Sequence, residues 1–156
     1  MRQVTLCLLL TEDKILLAMK KRGFGEGKWN GVGGKVQDGE SIEEAALREM
    51  EEEIGVRAKS HQLDKIGSIK FFFEKKPDWN QEMHVFIIRE WEGEPQESEE
   101  MKPQWFGHQE IPFKDMWVDD QYWMPRALRG EHFEAEFYFK EDGDELEKWE
   151  IRNVFS

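Results

Sequence analysis

At 156 residues, with 38% hydrophobic and 13% aromatic side chains, the chain has the size and apolar content of one ordinary domain, residues 1–156, with a sizeable core. Its formal net charge of -12 and pI near 4.9 argue against a sequence-independent grip on DNA or RNA, which needs a basic face, so any phosphate ligand must be held by a local positive feature or by a metal ion. The single cysteine, Cys7, has no partner for an internal disulfide and sits in an apolar run, which reads as a core thiol in a reducing, cytoplasmic setting.

The opening MRQVTLCLLL places Arg2 ahead of apolar residues as a secretion signal would, but TEDK cuts the run short and no small-residue cleavage site follows. It reads as a buried first strand. KILLAMKK reads as a second strand paired with it as a hairpin through TED, and no segment is long enough to cross a membrane. The next stretch, RGFGEGKWNGVGGK, has six glycines in fourteen residues and predicts a loop with short extended pieces. Ser41 and Glu44 then form an S-x-x-E capping box, no breaker interrupts Ile42 to Ile54, and Gly55 stands where a helix would end.

Beyond that helix, IGSIKFFF, MHVFIIREW and QWFG predict strands, joined by the polar stretches KKPDWNQ and EGEPQESEE. A second, shorter helix is expected over QYWMPRALRG, with Pro125 near its first turn. The end, HFEAEFYFKEDGDELEKWEI, alternates apolar and polar residues around a D-G turn and predicts a hairpin with one wet face. The sum is an α+β fold, a mixed sheet with helices packed on it.

Within the long helix, REMEEEIG crowds four glutamates into five positions, and each like-charge neighbour at helical spacing costs roughly 0.2–0.5 kcal/mol. At helical spacing Glu49, Glu52 and Glu53 fall within about 100° of one another, whereas Glu51 points nearly the opposite way. Ile42, Ala46, Leu47, Met50 and Ile54 make the apolar stripe, and Glu53 lies at its margin beside Ala46. Arg48 is spaced to orient Glu52. Clustered oxygens at a core edge suit a hard divalent cation such as Mg²⁺, which keeps several waters and completes its shell with substrate phosphates. A solvated acidic face is the plain alternative for an isolated EEE.

The surrounding residues decide between these. Gly34, Glu40, Arg48, Glu49, Met50, Glu52, Glu53, Gly55 and Val56 spell G-x5-E-x7-R-E-U-x-E-E-x-G-U, where U is bulky and apolar. All nine specified positions are filled. No P-loop, complete dinucleotide fingerprint or zinc spacing competes with it. On these residues the chain resembles the Nudix hydrolases. The resemblance implies an α/β/α sandwich with a loop–helix–loop motif. It also implies a pyrophosphatase that acts on nucleoside diphosphate derivatives with Mg²⁺, Mn²⁺ being a possible substitute. By position, Glu52 and Glu53 are the principal ligands, Glu49 a ligand or general base, Arg48 an orienting partner, and Gly33 a contributor through its carbonyl. Lys20, Lys21, Arg22 and Lys35 offer local positive charge for phosphates.

Three further stretches, MKKRGFGEGKWNGVGGKV, MKPQWF and IPFKDMWVDDQYWMP, are similar to the branch of the family that hydrolyses oxidised purine nucleoside triphosphates such as 8-oxo-dGTP and 2-hydroxy-dATP. The likeness weakens near KKPDWNQEM, where this chain is a residue longer, and in the final hairpin. It implies that Trp117 lies against the purine, that Asp119 and Asp120 bond its edge and that Asn30 reaches the opposite side. Thr5, Lys20, Phe24, Gly33, Gly34, Lys35 and Phe71 are further candidates for the substrate cleft, and Glu100 for the metal site. Chemically, an aromatic platform suits a purine face, and adjacent acids can share one proton so as to accept from a guanine edge or donate to an adenine edge. From the dipeptide alone, DD ahead of a helix is also an ordinary cap, Trp117 can equally be core beside Trp105, Phe106 and Trp123, and His84 reads as a packed strand residue. The expected partner is a small nucleotide, with no nucleic-acid polymer and no membrane, and the expected assembly is a monomer. Alternatives are a pyrophosphatase for ADP-ribose or dinucleoside polyphosphates, and a binding module without turnover.

Overall fold

The computed structural model describes residues 1–141 and 145–154. Eight strands form one mixed sheet among these residues. Strand β1 (Arg2–Leu10) turns through Thr11 into β2 (Lys14–Lys20), and a two-residue β3 (Trp29–Asn30) lies in the glycine-rich stretch. Helix α1 (Ile42–Ile54) follows, then β4 (Asp64–Phe73), β5 (Gln81–Ile88), β6 (Met101–Gly107), helix α2 (Asp120–Leu128), β7 (Phe133–Lys140) and β8 (Glu145–Asn153). The sheet order is β3-β2-β1-β5-β4-β7-β8, with β6 on the outer edge of β2. β1 runs parallel to β5 and β4 parallel to β7, while the other neighbours are antiparallel.

Alternation along β1 divides the core in two. Val4, Leu6, Leu8 and Leu10 face one side with Trp123, Met124 and Ala127 of α2. Cys7 and Leu9 face the other with Ala46, Met50 and Ile54 of α1. Because strand side chains alternate and both faces are apolar, each face takes a helix, which makes the expected α/β/α sandwich. α1 keeps its expected bounds. Ser41 and Glu44 exchange bonds as a capping box, and Gly55 ends the helix at φ 72, in the left-handed region.

Several boundaries differ from the sequence reading. β5 stops at Ile88, before the polar residues of REW, whereas β6 begins three residues before QWFG because Met101 to Pro103 continue the ladder with β2. Pro125 is inside α2, not in its first turn, so the helix loses the N–H bond that would have run to Gln121. KKPDWNQ contains a 3-10 turn at Pro77–Trp79. The D-G turn at residues 142–143 lies outside the described residues, while the paired strands on either side form the expected hairpin.

One irregularity positions the site. β2 pairs with β1 only near their hairpin, at Leu9↔Leu16 and Leu10↔Ile15, then diverges to pair with β3 at Ala18 and Met19. The vacated edge of β1 is taken by the glycine-rich loop: Cys7 N donates to Val32 O at 2.6 Å, Thr5 N to Gly34 O at 2.9 Å and Val36 N to Gln3 O at 3.0 Å. Such close approach demands glycine. A Cβ on Gly33 would stand 1.8 Å from Thr5 O, and one on Gly31 2.8 Å from Cys7 O.

Candidate active site

A cleft of about 290 Å³ opens where β2 leaves β1. Its lining draws together Thr5, Lys20, Phe24, Asn30, Gly33, Gly34, Lys35, Phe71, Trp117, Asp119 and Asp120, residues spread over more than a hundred positions, and Glu53 of α1. Arg48, Glu49, Glu52 and Glu100 are outside the lining.

Glu53 marks the α1 end of the cleft. Its Oε2 is buried and makes no hydrogen bond among the described residues. Burial, followed by the neighbouring charge of Glu49, pushes its carboxyl up to about 8, while the Gly33 N–H donates to it and opposes the rise. Two carboxylates this close resist ionising together. Glu49 is packed against the loop so tightly that a Cβ on Gly34 would meet its carboxyl carbon at 2.6 Å.

Arg48 supports this arrangement from outside. Its Nε and Nη2 hold both oxygens of Glu40 at 2.7 and 3.0 Å, Nη1 reaches Glu49 at 2.8 Å and Glu52 at 3.1 Å, and Nη2 also donates to Lys35 O at 3.1 Å. The guanidinium therefore ties the loop before α1 to the acidic face of the helix. It also holds Glu40 below the usual carboxylate range through the hydrogen bond itself. Glu40 had no expected role beyond its place in the motif, because its partner is eight residues away and it precedes the helix.

The structure separates the expected metal ligands into two groups. Glu49 and Glu53 lie together, whereas the Glu52 side chain is 60% exposed and bonded to Arg48. Glu100 pairs with Arg22 at 3.5 Å on the surface. Among the described residues no three acidic, histidine or cysteine side chains converge on one point. The residues nevertheless fit a cation of the magnesium type, which needs only one or two carboxylates and leaves its other positions to water and phosphate. The orphaned Glu53 oxygen beside Glu49 is the place where such a cation would sit. Gly33, the expected carbonyl contributor, lines the cleft together with Glu53.

At the α2 end, Asp119 and Asp120 are 4% and 2% exposed. The Asp119 side chain makes no cap bond; it accepts from Trp123 Nε1 at 2.9 Å, and Oδ2 of Asp120 has no partner among the described residues. Capping thus does not explain the pair. Burial raises both carboxyls, Asp119 to about 6 and Asp120 well above its ordinary range, the latter also through the charge of Asp119 and a hydrogen bond between the two. Two buried carboxyls so placed resist ionising together. Trp117 is half-buried, with its ring on the cleft rather than in the core, stacked on Phe24 at 5.2 Å and with Lys28 Nζ 5.1 Å from the ring centroid. Trp123 is fully buried, Trp105 and Phe106 partly so, and His84 is a buried strand residue hydrogen-bonded to Gln3 at 2.6 Å, as expected.

Of the four basic residues expected near phosphate, Lys20 and Lys35 line the cleft, while Lys21 donates to Ser98 O and Arg22 pairs with Glu99 and Glu100 on the surface. Arg2 and Lys28 take their places at the cleft. No sequence spacing pointed to these two. Gln81, Met83, Met101, Phe73 and Phe139, also lining residues, come from strand ends whose positions become adjacent only in the folded sheet.

The NUDIX domain pattern matches residues 1–127, which includes the loop, α1 and most of α2. The chain belongs to the Nudix family. Among Nudix relatives it is 46% identical over 155 residues to the oxidized purine nucleoside triphosphate hydrolase of Mus musculus, covering 99% of this chain and 97% of the relative. It is 49% identical over 143 residues to the protein of the same name from Danio rerio, covering 92% and 88%. A crystal structure of the MutT protein from Bacillus halodurans superimposes with a TM-score of 0.79 at 30% identity over 97% of each chain. Divalent cations are the general requirement of Nudix hydrolases, and no helix among the described residues is long and apolar enough to cross a membrane.

Proposed function

We propose that this chain is a Mg²⁺-dependent diphosphatase of oxidised purine nucleoside triphosphates. It takes 8-oxo-dGTP and 2-hydroxy-dATP to the monophosphate and pyrophosphate and so keeps oxidised bases out of the nucleotide pool. The observation that carries this reading is the buried Asp119–Asp120 pair opening into the same cleft as Glu53. A buried acid pair without a protein partner for Asp120 Oδ2 is costly to the fold, and a purine edge offers the missing complement. The names of the mouse and zebrafish relatives support the same substrate class.

In this reading Trp117 lies against the base with Phe24 packed on its ring, Asn30 and Phe71 close the opposite side, and Thr5 braces the Gly33–Gly34 loop beneath the phosphates, its hydroxyl 3.4 Å from Gly34 N. Asp119 accepts from a guanine-type edge while Asp120 donates, and exchange of the shared proton suits an adenine-type edge. Lys20 and Lys35 hold phosphate oxygens. Glu49 and Glu53, with Glu52 at the rim and Glu100 as an outer candidate, would hold the cation, and Mn²⁺ would substitute for Mg²⁺. The cation supplies neutralisation of phosphoryl charge and a lowered water pKa. Glu49, steadied by Arg48, stands beside Glu53 to take a proton from the attacking water. The chain acts as one domain and as a monomer in the cytoplasm.

The test is a panel of oxidised and normal nucleoside triphosphates, ADP-ribose and a dinucleoside polyphosphate, turned over with Mg²⁺ in ¹⁸O-water and assayed by separating all phosphorus-containing products, pyrophosphate and nucleoside monophosphate among them. Preferential release from 8-oxo-dGTP or 2-hydroxy-dATP, with label in the monophosphate, is expected. Faster turnover of ADP-ribose, or label only in pyrophosphate, would overturn the substrate or the bond assignment respectively.

A further inference from the structure

The stretch KKPDWNQ, which the oxidised-purine likeness leaves unaccounted for, places an indole beside the cleft without lining it. Trp79 is the last residue of the 3-10 turn Pro77–Trp79 and meets the ring of Phe24 edge-on at 5.6 Å. On its other contacts it meets Phe73 edge-on at 5.7 Å and carries Lys76 Nζ 4.1 Å from its ring centroid. The turn is fixed to the sheet: Asn80 Oδ1 accepts from Phe73 N at 2.7 Å, Asn80 N donates to Pro77 O, and Trp79 N donates to Lys76 O.

Phe24 is held quite differently. It is 67% exposed, and its loop contains Gly23, Gly25 and Gly27, all at φ between 82 and 85. A run of glycines in the left-handed region gives a backbone with little intrinsic stiffness. The rings that hold Phe24 over the cleft are Trp117 on one side and Trp79 on the other. Trp117 lines the cleft and faces substrate, which leaves Trp79 as the outer support.

We infer that Trp79 is a positioning residue for the base site. It is a fixed post that holds the glycine-hinged Phe24 loop closed over the purine. This rests on the base-site reading above. Replacing the ring frees the loop, so the energy of ordering Phe24 must be drawn from substrate binding, and KM rises while the chemistry at Glu53 is untouched.

Two measurements test it on the full chain. Hydrogen exchange read by mass spectrometry over residues 21–28, where Glu26 N, Gly27 N and Lys28 N are hydrogen-bonded, reports the loop without substrate. Steady-state kinetics with 8-oxo-dGTP report its use. In Trp79→Ala and in Trp79→Leu, which keeps apolar volume, loop exchange and KM should each rise about 2- to 12-fold, as expected for loss of an aromatic pair. Exchange in β1 and kcat should stay unchanged, and Trp79→Phe should restore both loop exchange and KM. Unaltered loop exchange, unaltered KM with a loosened loop, or a fall in kcat alone would overturn the inference. If the unsubstituted protein turned over no purine nucleotide, the substrate reading would fail, and loop exchange alone would decide the role of Trp79.

Discussion

Replacing Asp119 with Asn should raise stability above pH 6 while damaging base selection. Asn keeps an oxygen for Trp123 Nε1, the bond of 2.9 Å, and keeps the side-chain volume, but it removes an acid from a fully buried pair. In the folded chain Asp119 titrates at about 6 against an ordinary 3.8. Its folded pKa is raised, so its contribution to stability is fully present below the ordinary value and is lost as pH rises through about 6. A rise of that size is worth on the order of 3 kcal/mol at 1.36 kcal/mol per pKa unit. Asp119→Asn should therefore show a flatter stability profile, with a gain on the order of 1–3 kcal/mol at pH 8 and little gain at pH 4. Urea unfolding of both proteins from pH 4 to 8 measures it. The same samples, assayed for kcat/KM, should show a changed ranking of 8-oxo-dGTP against 2-hydroxy-dATP. Parallel stability profiles would refute the buried-acid argument, and an unchanged ranking would remove the pair from base recognition.

Glu53→Gln should keep the fold and lower kcat by on the order of 10²–10⁴-fold, whereas Glu51→Gln, on the exposed face, should be nearly silent; equal losses in the two would defeat the assigned geometry. Arg48→Lys cannot reproduce the two-pronged hold on Glu40, so calorimetric titration should find Mg²⁺ affinity reduced about 10- to 100-fold. Gly33→Ala must push Thr5 O away from the loop and should cost about 1–3 kcal/mol or more in urea unfolding. Gly34→Ala, which displaces the Glu49 side chain instead of backbone, should lose activity out of proportion to stability.

How far the sequence reached depends on the range of the interactions involved. α1 was legible to the residue because Ser41, Glu44 and Gly55 satisfy the helix ends locally, and most strands were legible from alternation. Pro125 was misplaced because packing of Trp123, Met124 and Ala127 into the core carries a short helix past a residue that local preference would put at its start. The cleft was legible through likeness to known sequences rather than through pattern: nothing in periodicity joins Thr5, Phe71 and Asp119. Arg2 and Trp79, which the likeness did not reach, and Lys28, which it covered without a role, are placed by which strand ends and turns meet after folding. Glu100 and Glu52 were reached by likeness, and sequence alone did not show that their side chains pair with Arg22 and Arg48.

The parting of β1 from β2 gives the cleft a lining drawn from successive residues of β1, Val4, Thr5 and Leu6, and so from both faces of the strand. Asp119 and Asp120 belong to the layer of α2 and Glu53 to the layer of α1, and all three line the cleft with Thr5. A nucleotide seated as proposed would reach from one layer to the other, with identity read in one and hydrolysis carried out in the other. The two tasks then share a strand but no side chains, so the reader can be rewritten without disturbing the blade.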